Sequence, residues 1–343
     1  MARVWDASEL SLDPIRSRAV AVVGYGNQGR AQALNLRDRG VEVLVGNRDD
    51  AYAELARADG MTVLPVGAAV GRGDVVLFLV PDEVQPDVYR AEVEPALRSG
   101  QTLGFASGYN VAYGFLSPAP GADLVMVAPR MIGRSMRELF VEGRGFPVLV
   151  GVERDESGRA LETALSIAAA IGAGLPGGCA VESSFREEAT LDLFSEHTWA
   201  PATVFILKAA CEVLIQAGVS PEAAILEVYG SGEIGEIGRA MAGLGLAGQM
   251  RLHSHTSQFG HLLWGPRYDT PQLRSLMAEA LARIQDGSFA RRWQSEQAGG
   301  LVEFEERWRR LLDHPLFGHE ERLYRRLGRV PSRAAATGPT TQP

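Results

Sequence analysis

Apolar and polar positions change their rhythm once along this chain. Up to about residue 152, short apolar runs alternate with stretches whose apolar positions recur at helical spacing. The runs cover residues 20–23, 41–45, 74–81 (DVVLFLVP), 102–108 (TLGFASG), 123–129 (DLVMVAP) and 147–152 (PVLVGV). Several are apolar at every position, as expected of strands buried on both faces, and their alternation with helices predicts a parallel, doubly wound sheet. From residue 182 to about 327 strands disappear, and long helices rich in Leu, Ala, Glu and Arg take over. The pattern predicts an α/β domain over 1–181 and an all-helical domain over 182–328. A small, polar, proline-bearing tail over 329–343 is expected to be disordered. The tandem Glu-Ile-Gly of residues 233–238 is too short to define a repeat architecture.

The first strand runs directly into Gly24-Tyr25-Gly26-Asn27-Gln28-Gly29, and a helical pattern follows until Gly40. Gly24 permits a tight turn, Gly26 lets backbone approach a pyrophosphate, and Gly29 allows close packing of helix on strand. The helix N-terminus that follows offers unpaired N–H groups to phosphate. With the second strand at 41–45 this is a Rossmann dinucleotide fingerprint in its proper context. Asn47 and Arg48 end the second strand. An arginine there accommodates a 2′-phosphate and favours NADPH, whereas the following Asp49 and Asp50 favour the free hydroxyl of NADH. Pro81, closing the third run, completes the cofactor-binding candidates.

A net charge of −8 over 343 residues, with no basic stretch interleaved with aromatics, argues against nucleic acid as a partner. Cys179 and Cys211 have no metal or redox spacing, and fit reduced thiols in a cytoplasmic protein. The start, MARVWDASELSLDP, has no apolar signal core. The longest apolar run, over 165–181, is interrupted by glycines and Pro176, so no membrane segment is expected.

In chain order GYGNQGRAQALNLRDRG, LVPDEVQPDVY, MVAP, EGRGFP, VESSFREEATLDLFSE, GPR and IQDGSFARRW resemble the short-chain (class I) ketol-acid reductoisomerases of branched-chain amino acid synthesis. The resemblance covers nearly the whole chain. It implies a Rossmann domain followed by a knotted helical domain, and a homodimer whose active site for a small-molecule substrate is shared between subunits.

By the same resemblance, Asp192 and Glu196 are magnesium carboxylates, and their four-residue spacing puts both on one face of a helix, as a hard oxygen-seeking cation requires. The family's second metal draws on a later helix, where Glu227 and Glu233 are the candidates. Here the chain departs from the pattern: Ser231 stands four residues after Glu227, and glycines at 230, 232, 235 and 238 predict a distorted or broken helix. One magnesium ion is therefore favoured over two. Ser254 matches the family's substrate-binding serine, and Gln258 replaces a glutamate.

Two further departures bear on the chemistry. Ser107 stands where the family has a histidine, and Arg130 where it has a lysine. Arginine keeps the charge but does not release its proton, and serine is no imidazole relay. His253, His255 and His261 are unusually dense, and His255 or His261 could replace the missing proton donor; His197, beside Glu196, reads as structural. The leading expectation is a divergent NAD(P)H-dependent oxidoreductase that reduces a small polar carbonyl or imine, with rearrangement weakened or lost. The catalytic candidates are Asp192, Glu196, Arg130, Ser107, Ser254 and Glu233. An authentic reductoisomerase and a non-catalytic dinucleotide sensor are the alternatives.

Overall fold

The computed structural model describes residues 1–337, with side chains to 334. Residues divide into two compact units, Met1–Leu191 and Asp192 onward.

The first unit is built on nine strands: β1 Val4–Asp6, β2 Ala19–Val23, β3 Glu42–Gly46, β4 Thr62–Leu64, β5 Val75–Phe78, β6 Thr102–Phe105, β7 Asp123–Pro129, β8 Pro147–Arg154 and β9 Cys179–Glu182. They lie in the order β1-β9-β8-β7-β6-β5-β2-β3-β4. Alternate residues of one strand reach opposite faces, and both faces are covered. Val20 and Val22 join one core with Val75, Leu77, Val125 and Val127. Ala21 and Val23 join the other with Val76, Phe78, Leu103 and Phe105. That is why these runs carry no polar alternation.

The expected parallel pairing holds from β4 through β7. It fails at two joints, where β8 runs antiparallel to β7 and β1 antiparallel to β9. A run apolar at every position encodes burial but not direction, so this reversal leaves no mark on the sequence pattern. Strands β1, β4 and β9, three or four residues each, are too short to show a period.

The second unit is helical, with Trp199–Gln216, Glu233–Leu244, His255–Trp264, Pro271–Gln285, Ser288–Ala298, Val302–Leu312 and Pro315–Arg326 as its longer elements. A helix over Phe185–His197 precedes them and contains the division between the units. Cys211, Ile225, Leu316 and Leu323 form a small buried cluster. Many large apolar side chains stay exposed, among them Trp199, Phe205, Leu262 and Trp264. The stretch Phe185–Gln216 is long and apolar enough to cross a bilayer by length and composition alone, although the turn at Thr198 and scattered charges divide it.

The glycine-rich segment is interrupted as expected. Helix Pro221–Ile225 widens into a π turn over Leu226–Gly230, and Gly232, at φ +88°, breaks the chain before a new helix opens at Glu233. Within the stretch expected to be disordered, Ser332–Thr337 runs as a short helix, and the Ser332 N–H bonds the buried Glu320 carboxylate at its start. The remainder of that expected tail, 338–343, lies outside the described residues.

Candidate functional site

The glycine fingerprint builds a cradle in the way its spacing requires. Gly24 sits at φ +94°, where an L side chain is strained, and a Cβ there would lie 2.9 Å from Val80 Cγ1. A Cβ on Gly29 would fall 2.0 Å from the Gly24 carbonyl oxygen, so the helix Asn27–Asp38 can approach the turn only with glycine there. At Gly26 a Cβ would meet no described atom within 4 Å. That open position faces a cavity of about 690 Å³ bordered by Gly24, Gly26, Asn47, Arg48, Pro81 and Ser107. Gly26 caps the helix with no side-chain acceptor, which leaves the helix N–H groups directed at whatever occupies the cavity. The cradle fits a dinucleotide pyrophosphate.

Tyr25 lends this cradle its backbone rather than its ring. Its phenol is buried and donates to Asp59 Oδ2 at 3.0 Å, while Asp59 also pairs with Arg30 Nε at 2.7 Å. Burial, with the Asp59 charge beside it, pushes the Tyr25 hydroxyl well above its usual range. Asn47 ties two loops together: its Oδ1 accepts from Tyr25 N at 3.2 Å and its Nδ2 donates to Asp50 Oδ1 at 2.9 Å. Arg48 lies on the surface, paired with Asp50 at 2.7 Å. Asp50 also caps the helix Ala51–Ala58 by accepting from Tyr52 N and Ala53 N. The arginine expected to meet a 2′-phosphate thus stands beside a carboxylate that competes for it.

Two loops are held against the cradle. Gln28 Nε2 donates to the Met131 carbonyl at 3.0 Å, and Gly133 packs so tightly on Asn27 that a Cβ would lie 2.0 Å from the Asn27 oxygen. These contacts fix the loop that carries Arg130. Gly108 approaches Phe185 equally closely, with a Cβ 2.1 Å from the Phe185 oxygen, and Ser107 Oγ accepts from Tyr109 N at 3.2 Å. Between the loops lies Glu188, 0% exposed, which accepts from Gly108 N at 2.7 Å and from Arg130 Nη2 at 2.9 Å. Sequence reasoning missed Glu188. Counting the four-residue stride of Asp192 and Glu196 one step back would have found it.

Asp192 is half-buried and Glu196 exposed, both on the helix Phe185–His197. Glu227 lies in the π turn and Glu233 opens the next helix; both are exposed. Among the described residues no three acidic, histidine or cysteine side chains converge on one point. A single copy of the chain therefore does not gather Asp192 and Glu196 with either Glu227 or Glu233. As donors, these carboxylates are hard oxygens of the kind Mg²⁺ takes, one or two at a time, alongside water.

Ser254 caps the helix His255–Trp264, accepting from Ser257 N at 3.3 Å. The His253 and His261 rings meet edge to face at 5.3 Å, Gln258 Nε2 donates to the His253 carbonyl, and His255 is exposed. His197 packs edge-on against Phe289 at 4.1 Å, and burial lowers its pKa, as suits a structural ring.

Comparison with known proteins bears on both units. Residues 14–177 match the NADPH-binding domain of acetohydroxy acid isomeroreductase, and residues 185–327 match the C-terminal domain of ketol-acid reductoisomerase. A protein of Saccharolobus solfataricus named putative ketol-acid reductoisomerase 3 is 44% identical over 324 residues, spanning 94% of this chain and 97% of that one. The ketol-acid reductoisomerase (NADP(+)) of Pyrobaculum neutrophilum is 39% identical over 92% of this chain and 96% of its own. The solved structure of an NADH-preferring ketol-acid reductoisomerase from an uncultured archean superposes with a TM-score of 0.88 at 31% identity, covering 95% of this chain and 99% of that one.

Proposed function

The chain belongs to the ketol-acid reductoisomerase family and is an NAD(P)H-dependent oxidoreductase, and from that premise we propose that it carries out the family's complete reaction. That reaction is migration of an alkyl group in an acetohydroxy acid followed by reduction to a 2,3-dihydroxy acid. The observation that carries this reading is that both halves of the chain match the two domains of that family; within the first half, the buried Glu188 ties Arg130 to the loop of Ser107, and Ser107 borders the cavity. Both halves of the chain match those of enzymes, which disfavours a non-catalytic sensor.

The reduced nicotinamide supplies the hydride and a divalent ion supplies the Lewis acidity that migration needs. Gly24, Gly26 and Gly29, with the helix start at Asn27 and Gln28, bind the pyrophosphate. Arg48 and Asp50 set the choice between a 2′-phosphate and a free hydroxyl, which makes the chain able to use NADPH and NADH. Arg130 balances the substrate carboxylate or the oxyanion developing on its carbonyl, and Ser107 donates a hydrogen bond. Asp192 and Glu196 hold Mg²⁺, Glu227 and Glu233 are contributed by a second copy, and the Ser254 of that copy contacts substrate. Since Arg130 does not release its proton, His255 or His261 is the candidate donor to the new hydroxyl.

The homodimer draws support from the exposed apolar faces. Trp199, Phe205 and Ile206 on one helix, and Phe259, Leu262 and Trp264 on another, are each more than half exposed in a single copy. Cover by a second copy accounts for the apolar Phe185–Gln216 stretch better than a bilayer does, and the family's knotted helical path belongs to the same reading. Two free thiols, Cys179 and Cys211, fit a cytoplasmic setting.

Ser107 where the family has a histidine and Arg130 where it has a lysine favour one second reading, a reductase in which rearrangement has slowed. NADPH and NADH oxidation with 2-acetolactate and with the rearranged 3-hydroxy-3-methyl-2-ketobutyrate, each with and without Mg²⁺, separates the two. Turnover of both substrates supports the complete reaction. Turnover of only the rearranged keto acid overturns it in favour of the reductase.

A further inference from the structure

Glu320 is 3% exposed, and none of the proposed chemistry uses it. A carboxylate is buried at this depth only when donors replace its water. Two do so here: the Tyr229 hydroxyl donates to Oε2 at 2.7 Å and the Ser332 N–H to Oε1 at 2.9 Å. Burial, and then the Glu320 carboxylate beside it, push the Tyr229 hydroxyl up from its ordinary value. A few residues on, Arg329 Nη1 donates to the Gly230 carbonyl at 2.6 Å, its guanidinium lying 5.6 Å from the centre of the Tyr324 ring.

Both partners at the far end of these bonds, Tyr229 and Gly230, belong to the π turn Leu226–Gly230. A π turn widens a helix by one residue, costs stability, and persists where its surroundings over-determine it, most often beside a functional site. Glu227 is its second residue. Tyr229 and Gly230 are thus bonded to a segment about ninety residues away in sequence, while Glu227 itself points its carboxylate to an exposed position. Leu226, Val228 and Tyr229 also pack against the cluster of Cys211, Ile225, Leu316 and Leu323, and the two polar anchors add direction to that packing; a regular helical turn here would rotate Glu227 relative to the chain around it.

We propose that Glu320, through Tyr229, and Arg329, through the Gly230 carbonyl, are positioning residues that fix the π turn and so aim Glu227 for a divalent cation. The C-terminal segment 320–332 is then part of the metal site's support. This rests on the reading of Glu227 as a metal carboxylate given above.

The test uses the full-length protein and Mn²⁺ as probe, its free-ion EPR signal reporting binding without turnover. Glu227→Gln, Glu320→Gln and the nearly isosteric Tyr229→Phe are compared, with NADPH affinity measured by fluorescence on the same samples. Loss of an outer-shell support weakens metal binding by about 10-fold or more. The proposal expects that loss in both Glu320→Gln and Tyr229→Phe, with NADPH affinity unchanged, and expects Arg329→Lys to retain more Mn²⁺ affinity than Arg329→Ala. Parental Mn²⁺ binding in Tyr229→Phe and Glu320→Gln, alongside a weakened Glu227→Gln, overturns the proposal and leaves the metal reading standing. Parental binding in Glu227→Gln removes the metal reading and the proposal with it. Equal losses of Mn²⁺ and NADPH affinity mark general loosening and overturn the proposal too.

Discussion

Glu188 Oε1 stands 2.9 Å from Arg130 Nη2, the carboxylate fully buried and the guanidinium 30% exposed. Its other oxygen accepts from the Gly108 N–H, so one side chain joins the loop after β6 to the loop after β7. Removing one member of a buried pair leaves the other charge without compensation, at a cost of about 3 kcal/mol or more. Glu188→Ala is expected to lose stability on that scale in a denaturant titration, and to lower kcat far more than it changes the KM for cofactor. A kcat within twofold of the parent would remove Arg130 and Glu188 from the proposed chemistry.

The glycines of the cradle separate binding from folding. Gly26→Ala adds a methyl group to open space facing the cavity, so it should raise the NADPH dissociation constant by about 10-fold, about 1.4 kcal/mol, with an unchanged melting temperature. Gly29→Ala forces a methyl group onto the Gly24 carbonyl and should destabilise the fold itself. The reverse pattern would mean that the dinucleotide does not cross Gly26.

Cofactor choice should respond to Asp50. Asp50→Ser keeps an oxygen to cap the helix Ala51–Ala58 while it releases Arg48 from its partner. The expected result is a shift of the NADPH-to-NADH ratio of kcat/KM toward NADPH by about 5-fold, modest because the Arg48 side of the pair is solvent-exposed. An unchanged ratio would show that Arg48 does not meet the 2′ position.

Acid should loosen the cradle through Asp59. Burial alone would raise this carboxyl, but hydrogen bonds from Arg30 and Tyr25 outweigh it and hold its pKa below the usual range. A depressed folded-state pKa contributes stability above the unfolded value, about 3.9, and that stability is lost as pH falls through the folded value. Asp59→Asn should cost about 1–2 kcal/mol at pH 7. It should also flatten the dependence of unfolding free energy on pH below about 4; an unaltered slope there would place the acid sensitivity elsewhere.

Activity on acetolactate should vanish in excess EDTA and return with Mg²⁺. Full turnover in chelator would sink the assignment of Asp192 and Glu196 as metal carboxylates.

The first half of the chain was legible because its strands are buried on both sides and its glycines are demanded by backbone contacts as short as 2.0 Å. Constraints of that kind fix residue type locally. The antiparallel turn of β8, the edge strands β1 and β4, and the bonds made by Glu188 and Glu320 depend on partners distant along the chain. Glu320 meets Tyr229 across 91 positions and Arg130 meets Glu188 across 58; beyond the four-residue stride that leads back from Asp192 to Glu188, nothing near either carboxylate distinguishes it from a solvated helix acid. In the helical half, composition announced helices and the glycines announced a break, but an apolar face left exposed looks in sequence like one packed into a core.

The pairing of Val4 with Val181 also imposes an order on synthesis. Residues 4–6 leave the ribosome well before 179–182 and have no strand to join until those follow, so the outer edge of β8 lies open from its synthesis until β9 is made. An open edge is a template for pairing with another nascent chain. The dinucleotide domain closes only as the chain reaches the helix at Phe185, which couples completion of the cofactor-binding half to the start of the helical one.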